Sequence, residues 1–226
     1  MELNADFARR AAVHAAAMPW VASPMAGVER RMLDRVGGEV ARATSIVRYA
    51  PGSHFAPHRH DGGEEFLVLE GVFQDEHGDY PPGTYVRNPP GTSHQPGSSP
   101  GCTIFVKLWQ FDPRDRLPLR RDAGGDVPEA APPARSTATL ALHRDDREDV
   151  RIERWAPGAS LSEALPGGGE WLVLAGGFTE GGEDFRPLSW LRLPAGDRLL
   201  AQAGPEGCRV WVKTGHLPPL GGLPGR

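Results

Sequence analysis

His58 and His60 are separated by a single residue. On a β-strand, residues two apart project to the same side, so both imidazoles can converge on one ion. Just past the Asp61-Gly62-Gly63 turn come Glu64 and Glu65, either of which could swing a carboxylate toward that point. His94 lies thirty residues beyond Glu64, at the end of a Pro89-x-Gly91-x-x-His94 turn. Three neutral imidazoles and one carboxylate leave a divalent ion with one net positive charge. In octahedral geometry two positions stay open for water, dioxygen or substrate. One divalent metal ion per chain is therefore expected, zinc or iron first, with manganese and nickel also compatible with these donors.

The elements that must hold these residues are announced by an internal repeat. Residues 46–52 read IVRYAPG and residues 152–158 read IERWAPG; residues 65–73 read EFLVLEGVF and residues 170–178 read EWLVLAGGF. Gly101-Cys102 meets Gly207-Cys208. The offset is 106, drops to 105 across a one-residue deletion in a loop, and returns to 106. Such ordered blocks indicate a duplicated domain, with copies over about 45–111 and 151–215. In copy two, His58 and His60 fall opposite Ala164 and Pro166, His94 opposite Leu199 and Glu64 opposite Gly169, while Glu65 keeps its counterpart Glu170. A glutamate retained where every other donor is gone reads as structural. That selects Glu64 as the ligand, giving His58, His60, Glu64 and His94.

Each copy has short apolar runs, such as Phe66 to Leu69 and Thr103 to Trp109, divided by Gly- and Pro-containing turns. The chain holds 29 Gly and 23 Pro, which disfavours long helices and favours strands closed into a barrel or jelly roll. Four segments are expected. Residues 1–44 form an N-terminal arm with a short helix and leading strands, the Ala-rich helix capped by Asn4 or Asp6 and ending before Pro19. Residues 45–111 form the metal-binding barrel, 112–136 a Pro/Gly-rich linker, and 137–226 a degenerate, metal-free barrel.

Gly52, five residues, His58-x-His60, three residues, Glu64, six residues and Gly71 together resemble the first motif of the cupin superfamily without a gap. Gly83, five residues, Pro89-x-Gly91, two residues and His94 resemble the second; its usual closing Asn is replaced by Ser98 and Ser99. The spacing to Gly71 also selects Glu64. Within the superfamily, HxHxGGEE, LVLEG and PPGTSH are similar to the ChrR-type cupins. The resemblance implies an all-β fold of two tandem cupin barrels (double-stranded β-helix, or jelly roll), with the four residues above as metal ligands. It implies two functions. One is dioxygenase-like chemistry on a small molecule in the first barrel, as in cupins that cleave diketones or hydroxylated aromatic ketones; an isomerase or cyclase is a lesser variant. The other is a sensor related to ChrR-type anti-sigma factors, with a sigma factor or other regulatory protein as partner. The zinc module that grips sigma in that family has no counterpart here, since one His and no Cys precede Arg48.

Composition excludes other classes. A net charge of −4 and a pI of about 6.1, without a long Lys/Arg run, argue against direct nucleic-acid binding. No apolar run approaches bilayer length, so no membrane partner is expected. Arg9-Arg10 precedes a stretch too weakly apolar for an export signal, and two cysteines are too few for a disulfide scaffold; a cytoplasmic protein, with a homodimer as its assembly, is the expectation. His54 and His77 are expected on the surface, and His14, His143 and His216 receive no role. Arg87, repeated as Arg192, reads as a surface or scaffold residue. Cys102 and Cys208 read as equivalent buried core positions.

Overall fold

The computed structural model describes residues 1–38, 40–124 and 136–218. It contains two compact units, the first built from residues 1–5 and 18–124, the second from residues 6–17 and 136–218. Both are antiparallel β-structures.

In the first unit the large sheet runs Glu2–Leu3, Val28–Gly37, Ala41–Tyr49, Cys102–Leu108, Glu64–Gly71, Thr84–Asn88 and Leu119–Asp122, with Val21–Ala22 added against Val28–Gly37. A smaller sheet orders Gly78–Tyr80, Phe73–Asp75, Gly97–Ser98 and Ser53–His54, and His58–Arg59 pairs with Ser93–His94. Phe66, Val68, Val86, Cys102, Ile104 and Val106 from the large sheet meet Phe73 and Tyr80 from the small one in a single core. Strand alternation assigns the faces: Glu64, Phe66 and Val68 point in, and Glu65 and Leu67 point the other way.

The second unit repeats the plan. Its sheet runs Thr137–Arg144, Asp149–Trp155, Asp197–Thr214, Gly169–Glu180, Ser189–Leu193 and Ala11–His14, with Ser160–Leu165 and Glu183–Phe185 completing it. Its core holds Trp155, Leu165, Trp171, Phe178, Phe185, Leu193 and Leu199. The register revises the sequence alignment. His58 is paired with His94, and Glu163 with Leu199. The one-residue deletion therefore precedes His58, and His58 and His60 correspond to Glu163 and Leu165, not to Ala164 and Pro166.

Two expectations for the ends of the barrels are corrected. The Ala-rich N-terminal segment is a strand, Ala11–His14, paired from Ala11↔Arg192 to His14↔Ser189; among the described residues only the 3-10 turn Ala15–Ala17 is helical. Alanine's helix preference is a weak prior, and a free sheet edge offers a full ladder of hydrogen bonds. The segment 1–44 is not a separate arm, since Val28–Gly37 and Ala41–Tyr49 are strands of the first sheet. Within 112–136, Leu119–Asp122 forms an edge strand, and residues 125–135 lie outside the described residues, as do 219–226 of the final segment.

One buried charged set occurs in both copies. Glu65 sits opposite Arg87 on one neighbouring strand and Lys107 on the other; Glu170 sits likewise between Arg192 and Lys213. All six are buried. Glu65 Oε2 accepts hydrogen bonds from Tyr85 Oη at 2.6 Å and Arg87 Nη1 at 3.2 Å, and Arg87 Nη2 donates to Asp115 at 2.9 Å. Glu170 accepts from Trp190 Nε1 and pairs with His216. Arg87 is thus a buried scaffold residue, not a surface one.

Candidate metal centre

The two sequence motifs are sewn together through their backbones. The His60 amide donates to the Thr92 carbonyl at 2.9 Å, and the Gly91 amide donates to the His60 carbonyl at 2.9 Å. Gly91 has φ +94, which a side chain would strain. Between the motifs, Gly62 and Gly63 leave room for aromatic rings. A Cβ at Gly62 would lie 2.2 Å from the Trp109 ring, and one at Gly63 2.4 Å from the Phe111 ring. The turn that separates His60 from Glu64 is therefore held from outside by two aromatic side chains.

These contacts bring the histidines together. The rings of His58, His60 and His94 lie 4.7 to 5.2 Å apart, centroid to centroid, and each pair meets at 74 to 76°. One nitrogen from each falls within 4.8 Å of the others. Three imidazoles at near right angles match three mutually adjacent positions around one ion. Glu64 Oε2 lies 3.4 Å from His60 Nε2 and 3.6 Å from His94 Nε2. Asn88 Nδ2 steadies that carboxylate from 3.2 Å. His60, Glu64 and His94 are buried, and His58 is exposed, so the site opens to solvent on the His58 side.

The electrostatics suit metal ligation. His60 Nε2 is buried and has no hydrogen-bond partner among the described residues. An orphaned buried nitrogen costs about 1–3 kcal/mol, and a metal bond would satisfy it. Burial pulls the His60 pKa below its ordinary value, against the pull of Glu64, and so favours the neutral form a ligand needs. For His94, burial also works against protonation. Here it is outweighed by the hydrogen bond to Asp75 and the charge of Glu64, and the pKa is raised. Asp75 Oδ2 accepts from His94 Nδ1 at 3.3 Å, and Tyr80 Oη donates to Asp75 Oδ1 at 2.9 Å. Sequence reasoning passed over Asp75, Tyr80 and Asn88. The available signal was the copy comparison, where Tyr80 becomes Phe185.

The interior beside the site is aromatic. Phe73 stands 5.7 Å from the His94 ring, and Tyr49 packs edge-on against Phe55 and Phe73 at 5.3 and 5.8 Å. Tyr49 is half-buried; burial, then the Glu64 charge, push its pKa up, so the phenol stays protonated. Glu65 points away from the histidines, into the charged set described above.

In the second barrel the positions of His60 and His94 are held by Leu165 and Leu199, both in its core. A separate group, His143, Asp145 and Glu148, sits in the hairpin between Thr137–Arg144 and Asp149–Trp155. Its carboxylates are engaged: Asp145 Oδ1 accepts the Arg147 and Glu148 amides, and Glu148 pairs with Lys213 Nζ at 3.0 Å. His14 bridges Ser189 and Glu183, and His216 contacts Glu170, so both serve the second sheet. His54 and His77 are exposed. Cys102 and Cys208 are buried free thiols.

The sequence profile of the ChrR Cupin-like domain matches residues 8–112. No protein of curated function matches the chain. Solved structures with similar folds include a candidate dioxygenase from Nostoc punctiforme (14% identity, TM-score 0.64, 94% of this chain and 81% of that one). A bacterial pirin from Escherichia coli in complex with nickel(II) has 14% identity and TM-score 0.63, covering 93% of this chain and 100% of the pirin. A Bacillus subtilis oxalate decarboxylase has 12% identity and TM-score 0.58, covering 91% and 76%. At these identities the likeness is one of fold.

Proposed function

Because the chain has the cupin fold and carries a ChrR-type cupin domain in its first half, we propose that it is a metal-binding cupin acting on a small organic molecule in the first barrel, with dioxygenase-type chemistry. The observation that carries this reading is the trio of near-perpendicular imidazoles with the orphaned His60 Nε2 among them. His58, His60, Glu64 and His94 would hold the ion. When bound, the ion supplies Lewis acidity and open coordination positions for ligand and oxygen.

The chain's own residues do the rest. Phe55, Phe73 and the half-buried Tyr49 form an apolar wall that limits water and orients a flat ligand. Protonated Tyr49 can donate a hydrogen bond to a ligand oxygen. Asn88 keeps Glu64 aimed at the imidazoles. The open His58 side is the entrance.

Elemental analysis of protein purified without added metal tests the premise: close to one divalent ion per chain is expected, and much less in His58→Ala and His94→Ala. Oxygen uptake by Fe(II)-loaded protein with a panel of β-diketones and aromatic ketones then tests the chemistry. The ChrR domain match favours a second reading, a sensor that passes its signal to another protein. Metal-dependent turnover would reject a pure sensor. Association with a sigma factor and no turnover across the panel would reject the enzyme.

A further inference from the structure

The two copies form an internal control. Positions needed by the scaffold persist whether or not the metal ligands do: Glu65, Arg87 and Lys107 recur as Glu170, Arg192 and Lys213. Positions needed only at the metal centre should be lost with it. In the first barrel, Phe73 pairs with Tyr80 and Asp75 with Gly78; in the second, Phe178 pairs with Phe185 and Glu180 with Glu183. The backbone frame is the same, so Asp75 and Tyr80 correspond to Glu180 and Phe185.

The polar chemistry at these positions changes together with the histidine. Where the first barrel has Tyr80, Asp75 and His94, the second has Phe185, Glu180 and Leu199. The Tyr80 hydroxyl is deleted while its ring position is kept, and Phe185 stacks on Phe178 at 4.8 Å. Glu180 keeps a carboxylate but pairs it with Arg10 at 2.8 Å, its side chain 10% exposed. Asp75 instead has a nearly fully buried side chain, 5% exposed, directed at His94.

We propose that Asp75 is the positioning residue of the metal centre, held by Tyr80, and that it fixes the His94 ring so that Nε2 faces the ion. The inference rests on the metal-site reading above. Asp75 Oδ2 accepts a hydrogen bond from His94 Nδ1–H at 3.3 Å, which leaves Nε2, 3.6 Å from Glu64, as the lone-pair nitrogen. The opposite oxygen, Oδ1, is tied down by the Tyr80 hydroxyl at 2.9 Å and the His77 amide at 2.8 Å. Glu76 joins the same hairpin to the His94 strand by accepting the Gln95 amide at 2.7 Å. Both carboxylate oxygens are thus engaged, Oδ1 by Tyr80 and the His77 amide and Oδ2 by His94. Burial alone would not stabilise its charge, yet the hydrogen bonds outweigh burial and hold its pKa below the ordinary range.

The test is a competition titration of zinc against a chromophoric chelator, with cobalt(II) absorption as a second readout, on the parent, Asp75→Asn, Tyr80→Phe and Glu180→Gln. Circular dichroism of each metal-free protein monitors folding. Asp75→Asn is expected to weaken zinc binding about 10- to 100-fold and to shift the cobalt ligand-field bands. Tyr80→Phe, which installs the residue the second barrel already uses, is expected to weaken binding about 3- to 10-fold. Glu180→Gln should change neither. Should Asp75→Asn fail to fold, Tyr80→Phe decides. Unchanged affinity and spectra in both first-barrel variants, with a parent that binds one ion, would overturn the proposal and leave the metal site standing. A parent that binds no ion would overturn both.

Discussion

Glu64 and Glu65 are neighbours with opposite fates, and strand alternation is the reason. Glu64 faces the imidazoles, and Glu65 faces Arg87 and Lys107. Glu64→Gln is expected to impair metal binding while leaving chemical denaturation nearly unchanged. Glu65→Ala is expected to destabilise the fold by about 3–5 kcal/mol, because it removes the buried carboxylate that lies between Arg87 and Lys107. The cysteines report on burial. Burial pushes the Cys102 thiol up to about 11, against a hydrogen bond to Ser98, and the Cys208 thiol up to about 12, helped by Glu153. Native protein at pH 8 should resist thiol reagents until denaturant is added. Unfolded thiols titrate near ~8.5, so the stability carried by these protonated thiols is complete below that pH and falls as pH rises toward the folded values. The four candidate ligands could be picked out in the sequence because they follow strand and turn geometry, and the structure brings their side chains together. Asp75 was not: it meets His94 only after the barrel closes, and nothing local to QDEHGDY announces a partner nineteen residues away.

Strands and turns were read well where the pattern is local. The apolar run at Phe66 lies in the strand Glu64–Gly71, and that at Thr103 in Cys102–Leu108. The Ala-rich segment was misread because its strand identity comes from the edge it joins, which lies far along the chain. The deletion falls one element earlier than the sequence comparison puts it, since the five residues between Gly52 and His58 match nothing recognisable in copy two. Glycine positions separate two kinds of constraint. Gly71 and Gly176 have φ +68 and +66, and a Cβ there would lie 2.0 and 2.1 Å from the carbonyl oxygens of Gly101 and Gly207. Gly158 has φ +67 with nothing within 4 Å. Substitution by alanine should cost about 1 kcal/mol at Gly158 and more than about 2 kcal/mol at Gly71 or Gly176, measured by denaturant unfolding. The difference isolates the steric clash from backbone strain.

Duplication was the most readable property of the molecule as a whole, because copies of one scaffold must keep the same turns and the same buried charges. The unequal donor content of the two copies was legible too, since Leu199 stands where His94 would be. Hydrogen exchange with and without zinc should display that inequality. Added protection is expected around residues 58–64 and 92–94, and no change over residues 160–214. What the sequence could not announce is the exchange at the N-terminus: residues 6–17 belong with the second unit, although the first unit follows them along the chain. This ordering has a consequence for biosynthesis. His14 leaves the ribosome 175 residues ahead of Ser189, its eventual neighbour. At about 5–20 residues per second, that segment waits roughly 10–35 seconds without its sheet. A nascent chain arrested at residue 124 would carry all four candidate ligands beside an orphan strand, and the downstream half made alone would expose the backbone edge of Ser189–Leu193 to any passing extended peptide.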